Sequence, residues 1–314
     1  MRTSHVPRLA TRTSAGMAFA VLALLAVVGR PRAESGEPYT NNGADVGIYD
    51  LAGAGRVDPG GNGVTVQITR GGADASRLDV QTGAIGAQQT LRVRFPADRV
   101  SYRALEHGTH NSLRVRDDGT FGDDRDGSEG RRVTIERDGD GLEAWADLAV
   151  SVPRGQRLTL HLGAGTVTVT NIDGDLHVDA ASGPVTATGT HGRLSVDTGS
   201  GAIAIRDAQG EIALDTGSGS VEATGVRGSG LSVDTGSGHV TVDDARVDRL
   251  HLDTGSGGIG VRALQSRVVD IDTGSGGIDV DLAGDVESLT ADTGSGHLTL
   301  AVPPNLGATF EASS

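Results

Sequence analysis

The string Asp-Thr-Gly-Ser-Gly begins at Asp197, Asp215, Asp234, Asp253, Asp272 and Asp292, at spacings of 18, 19, 19, 19 and 20 residues. Stepping back by 18 reaches Asp179 (Asp-Ala-Ala-Ser-Gly), and by 18 again His161 (His-Leu-Gly-Ala-Gly), so two degenerate copies precede the six regular ones. Such a period marks a repeat architecture, in which one unit cannot bury its apolar side alone and neighbours must stack. Each unit alternates apolar and polar residues on both sides of the turn, as in Leu231-Ser232-Val233 before it and Val240-Thr241-Val242 after it. Alternation with period two around a glycine-rich corner means two short strands per unit.

Stacking the units aligns Leu194, Ile212, Leu231, Leu250, Val269 and Leu289 in one column and Ile203, Val221, Val240, Ile259, Ile278 and Leu298 in another. At about 4.8 Å per strand the stack makes a rod of roughly 35 to 40 Å. The expected fold is all-β: a parallel β-solenoid of about eight rungs of 18–20 residues, right-handed by the rule for parallel crossovers. The competing architecture is a meander or sandwich of antiparallel hairpins. Hairpin registers vary from one to the next, whereas in-register stacking demands the constant spacing seen here. No six-residue subperiod favours the triangular hexapeptide helix.

Composition narrows the chemistry. Cysteine is absent, which excludes disulfides, thiolate metal sites and a cysteine nucleophile. Glycine is 49 of 314 residues and aromatics are 3%, so the core is aliphatic and built from small residues. Every basic residue is Arg; residues 1–160 hold 20 Arg and 20 acids, and residues 161–314 hold 7 Arg and 21 acids, so the net charge of −14 lies in the second half. That surface repels phosphates and anionic lipid heads, which argues against a nucleic acid or membrane-surface partner and for a cation or a basic one.

The N-terminus carries Arg2, Arg8 and Arg12 without an acid, then an apolar run over 17–28 followed by Gly29 and Pro31. This is the order of a secretory signal peptide, here residues 1–33, with cleavage after Gly29 or Ala33. The run is short of the roughly 20 residues of a spanning helix, although an uncleaved anchor is the alternative. No Cys follows it, so it is not a lipoprotein signal. Export places the mature chain in the periplasm, at the cell surface or outside the cell.

Residues 34–152 lack the period but read as strands at 46–51, 64–69, 90–95, 113–116 and 133–136, an irregular β segment expected to cap the open first rung. Trp145, the sole Trp, is expected to pack there. The solenoid occupies 153–314; Glu311, Ala312, Ser313 and Ser314 fall in the next turn slot, so either the rod is truncated or its last edge is uncapped.

The repeated rungs, with the entry segment Ala149-Val150-Ser151-Val152-Pro153-Arg154-Gly155, resemble the bacterial putative-adhesin family, secreted domains of unknown function whose solenoids repeat Leu-x-Val-x-Thr-Gly-Ser-Gly-x-Val. The resemblance implies an envelope or extracellular protein, in some members linked to envelope stress, and no catalytic residue.

Asp-Thr-Gly is also the core of aspartic protease sites, where two carboxylates share a proton. Six equivalent copies on one stripe cannot single out a dyad, so the turn reads as structure: Gly supplying positive φ, Asp or Ser bonding its own backbone. The Asp column itself, Asp197 to Asp292, should point outward at about 4.8 Å intervals and repel. Either each carboxylate accepts N–H bonds in its own turn or cations sit between rungs; Ca²⁺ is the expected ion for such oxygen ligands. A second candidate is Glu136-x-Asp138-x-Asp140-Gly141 with Asp147, spaced like a calcium loop but flanked by strand patterns, and otherwise a solvated hairpin turn.

His161, His177, His191, His239, His251 and His297 read as scattered surface residues; His239 and His297 share the slot after the turn but lie three rungs apart, too far for one metal. The turn serines Ser200, Ser218, Ser237, Ser256, Ser275 and Ser295 repeat without a paired His, acidic loop 117–126 reads as solvated, and no aromatic occurs over 147–308 to stack on sugars. The sequence therefore reads as a non-catalytic envelope-associated solenoid, adhesive or structural, with a periplasmic binding module for a cation or basic partner in envelope-stress signalling as the alternative.

Overall fold

The computed structural model describes residues 34–105, 110–122, 130–305, 307 and 309. All of the described residues belong to one compact unit, Pro31–Ser314, separate from Met1–Arg30. Met1–Arg30, with the signal-peptide reading, and the Glu311 to Ser314 turn lie outside the described residues. Among the described residues no helix is long and apolar enough to cross a membrane.

The repeats form a parallel β-solenoid. Broad-face strands Asp173–Ala180, His191–Thr198, Gln209–Thr216, Arg227–Thr235 and Arg246–Thr254 pair in parallel, each with the next. Narrow-face strands Val185–Thr188, Ile203–Arg206, Val221–Thr224 and Val240–Asp243 do the same. The registers are the expected columns: Leu194, Ile212, Leu231, Leu250, Val269 and Leu289 pair in succession, as do Ile203, Val221, Val240, Ile259, Ile278 and Leu298. Leu231 and Val233 are buried while Ser232 and Asp234 face solvent, which is the alternation the pleat imposes. The step from 18 to 19 residues is a bulge at Ser229: Gly210 pairs with Gly228, but Glu211 pairs with Gly230.

Inside each Asp-Thr-Gly-Ser-Gly corner the working residue is Thr. Thr216, Thr235, Thr254 and Thr273 are buried, and each hydroxyl is bonded twice. Thr235 Oγ1 donates to the Gly219 carbonyl of the preceding rung (3.1 Å) and accepts from Gly238 N in its own turn (3.0 Å). Thr198 and Thr293 continue the ladder at its two ends. This corrects the turn chemistry expected from the sequence, in which Asp or Ser closed the loop. The glycines also serve differently: a Cβ on Gly238 would lie 1.8 Å from the Gly219 carbonyl oxygen, and the same approach recurs at Gly219, Gly257 and Gly276. Gly is required there because one corner rests directly on the next, and its φ is not in the left-handed region.

The opposite corner does need left-handed backbone. One residue per rung takes it, in the column Asn171, Gly189, Asp207, Gly225, Asp244 and Ala263, with φ between 50° and 70°. Gly, Asn and Asp enter this region cheaply, whereas Ala does not.

The solenoid starts earlier than the period shows. Strand Asp45–Pro59 lies in parallel register on Gln156–Thr170, with Leu158 opposite Val46, His161 opposite Tyr49 and Val167 opposite Gly55. It is a further rung in front of the eight. Gln88–Arg94 and Trp145–Val152 continue its two faces in parallel, and antiparallel strands Asp79–Ile85 and Val64–Gly71 back them. The first edge is thus covered by antiparallel strands, the standard protection for an open sheet. A four-stranded sheet of Arg99–Ser101, His110–Val115, Arg131–Glu136 and Leu142–Glu143 completes the cap. Trp145 lies over Gly71 and beside Tyr102, with ring centroids 6.1 Å apart. At the other end the inward residues of the last rung are only partly covered, and Leu298 is 49% exposed.

Two outcomes follow. Thr235→Val leaves Gly238 N–H and the Gly219 carbonyl without a partner, at about 1–3 kcal/mol for each group, whereas Thr235→Ser keeps the hydroxyl and loses much less; denaturant unfolding of the two variants measures the difference. Ala263→Gly removes the left-handed penalty and raises stability by about 1 kcal/mol, read as a higher melting temperature.

Candidate functional site

The exposed turn edge of the rod carries the Asp column. Asp179, Asp197, Asp215, Asp234, Asp253, Asp272 and Asp292 pair in register, one per rung. Where Thr takes the inward slot, Asp197, Asp215, Asp234, Asp272 and Asp292 are exposed and Asp253 is half-buried; Asp179, followed by Ala180, is half-buried. Asp215, Asp234, Asp253, Asp272 and Asp292 make no hydrogen bond or ion pair among the described residues, since the turn N–H groups go to Thr. The expected own-turn bonds to the carboxylates are therefore not what this corner builds. Partial burial and the neighbouring Asp234 raise the Asp215 carboxyl above its usual range; burial, then Asp234 and Asp272, do the same to Asp253. The column is a row of mutually repelling acids open to water.

Toward the cap the same column changes identity. Tyr49 and His161 occupy it on the first two rungs, with rings stacked at 4.3 Å, and His161 Nδ1 lies 2.8 Å from Asp179 Oδ2. Phe121 meets Tyr49 edge-on at 5.8 Å, and Asn111 Nδ2 donates to the Gly163 carbonyl at 2.8 Å. His161 is buried, not the surface residue expected. Where the chain covers its own turn edge, it supplies a donor and an imidazole in place of bare carboxylates.

The second candidate does not assemble. Glu136 ends a cap strand and pairs with Arg99 at 2.6 Å, Asp138 is exposed in the following turn with Asp140, and Asp147 lies in Trp145–Val152, where it accepts from Ala54 N at 2.9 Å. No three His, Asp or Glu side chains among the described residues converge as metal ligands. Loop 117–126 is described only to Gly122; there Asp118 accepts from Thr120, in a tight turn.

His239 and His297 flank one strip of the solenoid surface. Between them three outward slots of two rungs hold Gly258, Gly260 and Gly277, and the imidazoles lean over this bare strip. A Cβ on Gly258 would meet His239 Nδ1 at 3.1 Å, and one on Gly277 would meet His297 Cε1 at 2.3 Å. The result is a shallow trough of about 660 Å³ with Asp279 at its side, 3.7 Å from His297 Nε2. The signal was in the sequence: only the turns at Asp253 and Asp272 are followed by Gly in the outward slot. Elsewhere the outer faces carry rung-to-rung pairs such as Arg157 with Asp175 (3.0 Å), Arg193 with Glu211 (2.6 Å) and His251 with Asp270 (3.3 Å). Exposed pairs of this kind contribute little stability each.

Residues 191–314 match the family model of the Toastrack domain, DUF4097. The match spans the regular rungs and bears out the resemblance drawn from their turns. No curated protein matches the chain. Among solved structures, similarity is found to a putative lipid binding protein from Parabacteroides distasonis, 12% identical over 88% of this chain and 95% of that one, with a TM-score of 0.38. A putative adhesin from the same species is 8% identical over 87% of this chain and 98% of that one, with a TM-score of 0.34. A putative cell adhesion protein from Clostridium sporogenes is 8% identical over 87% and 100%, with a TM-score of 0.25.

Asp234 is the central charge of the acidic column. Asp234→Asn is expected to bring the Asp215 and Asp253 carboxyls back toward the ordinary range, followed by carboxyl NMR titration. Acids held above their unfolded pKa favour the fold at low pH and cease to do so as pH rises through the folded value. The variant therefore melts higher than the wild type at neutral pH, the gain shrinking in high salt and below about pH 4.

Proposed function

We propose that this protein is an exported, non-catalytic β-solenoid of the bacterial envelope that acts as an adhesive or structural rod and engages basic partners through its turn edge. The observation that carries the reading is the in-register row from Asp197 to Asp292 along the turn edge, of which Asp215, Asp234, Asp253, Asp272 and Asp292 have no hydrogen-bond or ion-pair partner among the described residues. A row of like charges at a fixed interval attracts cationic surfaces from a distance and orients them along the rod. The Toastrack match and the adhesin names of similar folds agree with a surface role. A non-catalytic reading is supported by the chemistry of the corners: the buried Thr hydroxyls are committed to the ladder, and the turn serines are exposed once per rung as part of the repeat. The trough between His239 and His297 favours, as a second reading, a periplasmic binding module for a cation or a basic partner.

Protease shaving of intact cells expressing an epitope-tagged full-length chain separates the two. Loss of the tag on intact cells is the expected outcome for a surface rod. Protection until the outer layer is permeabilised would place the rod in the periplasm and transfer the case to the second reading.

A further inference from the structure

Among the described residues Asp50 is the one acid in the inward turn column. In register it stands opposite Leu162, Leu162 opposite Ala180, and Ala180 opposite Thr198, so it holds on the first rung the slot that Thr holds on the later ones. It is fully buried, and neither carboxyl oxygen has a hydrogen-bond partner.

Its surroundings repeat those of the threonines. A Cβ on Gly53 would lie 1.8 Å from the Ala146 carbonyl oxygen and 3.0 Å from Asp50 Oδ2. In the regular corner that starts at Asp234, a Cβ on Gly238 would lie 1.8 Å from the Gly219 carbonyl oxygen and 2.8 Å from Thr235 Oγ1. Asp50 Oδ2 therefore occupies the place of the Thr hydroxyl, and Ala146 of strand Trp145–Val152 supplies the carbonyl that the preceding rung supplies elsewhere. The Thr hydroxyl both donates and accepts. A carboxylate only accepts, and set against a carbonyl oxygen in a buried corner it has nothing to donate. A protonated carboxyl does both.

We propose that a proton on Asp50 closes the seam between the first rung and the cap strand Trp145–Val152, the acid standing in for the Thr hydroxyl of the later rungs. The ionisable groups that face it are Asp147, on the same cap strand, and Tyr102, from the four-stranded side of the cap. Burial pushes the Asp50 carboxyl well above its ordinary range; the Ala52 amide, outside hydrogen-bonding geometry, pulls it back in part, Asp147 adds to the rise, and the Leu51 amide opposes it least. Tyr102 is pushed up to about 12 by burial and by the two acids, so it stays neutral while Asp50 titrates. An acid whose folded pKa is raised stabilises the fold fully below its unfolded pKa, and that contribution is lost as pH rises through the folded value. The seam is locked in acid and loosens as the medium becomes alkaline.

The test compares full-length wild type with Asp50→Asn and Asp50→Thr, both of which can donate and accept at every pH. Melting temperatures are recorded from mildly acid to mildly alkaline buffer, with amide hydrogen exchange at 145–152 corrected for the intrinsic pH dependence. The wild type is expected to lose melting temperature relative to both variants as pH rises, with exchange at 145–152 accelerating in the wild type alone. Its infrared spectrum should contain a protonated-carboxyl stretch at neutral pH that Asp50→Asn lacks. Parallel melting curves across the pH range, or an infrared band unchanged in Asp50→Asn, would overturn the proposal. Should Asp50→Thr fail to fold, the near-isosteric Asn variant and the infrared band decide it.

Discussion

The regular part of the rod depends on a single inward hydroxyl per rung. Two strands meeting at a tight corner leave a backbone N–H and, from the rung below, a carbonyl pointing into an aliphatic interior with no water to satisfy them. Thr answers both at once, as Thr235 does between Gly238 and Gly219, and its methyl group remains with the hydrocarbon core. Because each hydroxyl ties its own turn to the carbonyl of the rung before it, the corners cannot slide past one another without breaking that bond. The constant period of the sequence is the imprint of that coupling, and the glycines on either side exist to let the corners touch.

With Thr inward, the pleat leaves no choice for its neighbour. The residue before it must face water, and here it is Asp on six consecutive rungs. Repulsion along this row is tolerable because it is solvated, and near the cap, where the chain covers itself, Asp179 is met by His161. An aliphatic stack with polar outer faces has few ways to present chemistry to a partner. It can vary charge along an edge, or it can omit side chains and open a trough, as Gly258, Gly260 and Gly277 do.

Much of this could be read from the residues. The apolar columns, the parallel register and the outward Asp row follow from period and alternation alone, and the strands of the cap were legible as short alternating runs. Other features were hidden for physical reasons. The inward role of Thr is masked because a hydroxyl counts as polar in any pattern of apolar residues. The left-handed column is spread over Asn171, Gly189, Asp207, Gly225, Asp244 and Ala263, which share a backbone angle and no chemical type. The first rung escaped because Asp45–Pro59 has Asp50 where Thr belongs and lies far in sequence from the rung it meets. Partners brought together by the cap, such as Asp147 with Ala54, have no spacing to betray them.

That separation has a kinetic consequence. Tyr49 must find His161 across 112 residues, whereas the later rungs find their neighbours across 18 to 20. Closing the long loop costs more chain entropy before any contact rewards it, and non-local pairing slows folding. The regular rungs can therefore zip together on their own, presenting a bare N-terminal edge until the cap arrives and seals it. By this argument the order of assembly runs against the order of synthesis: the first rung, made before the regular ones, is the later to find its neighbour.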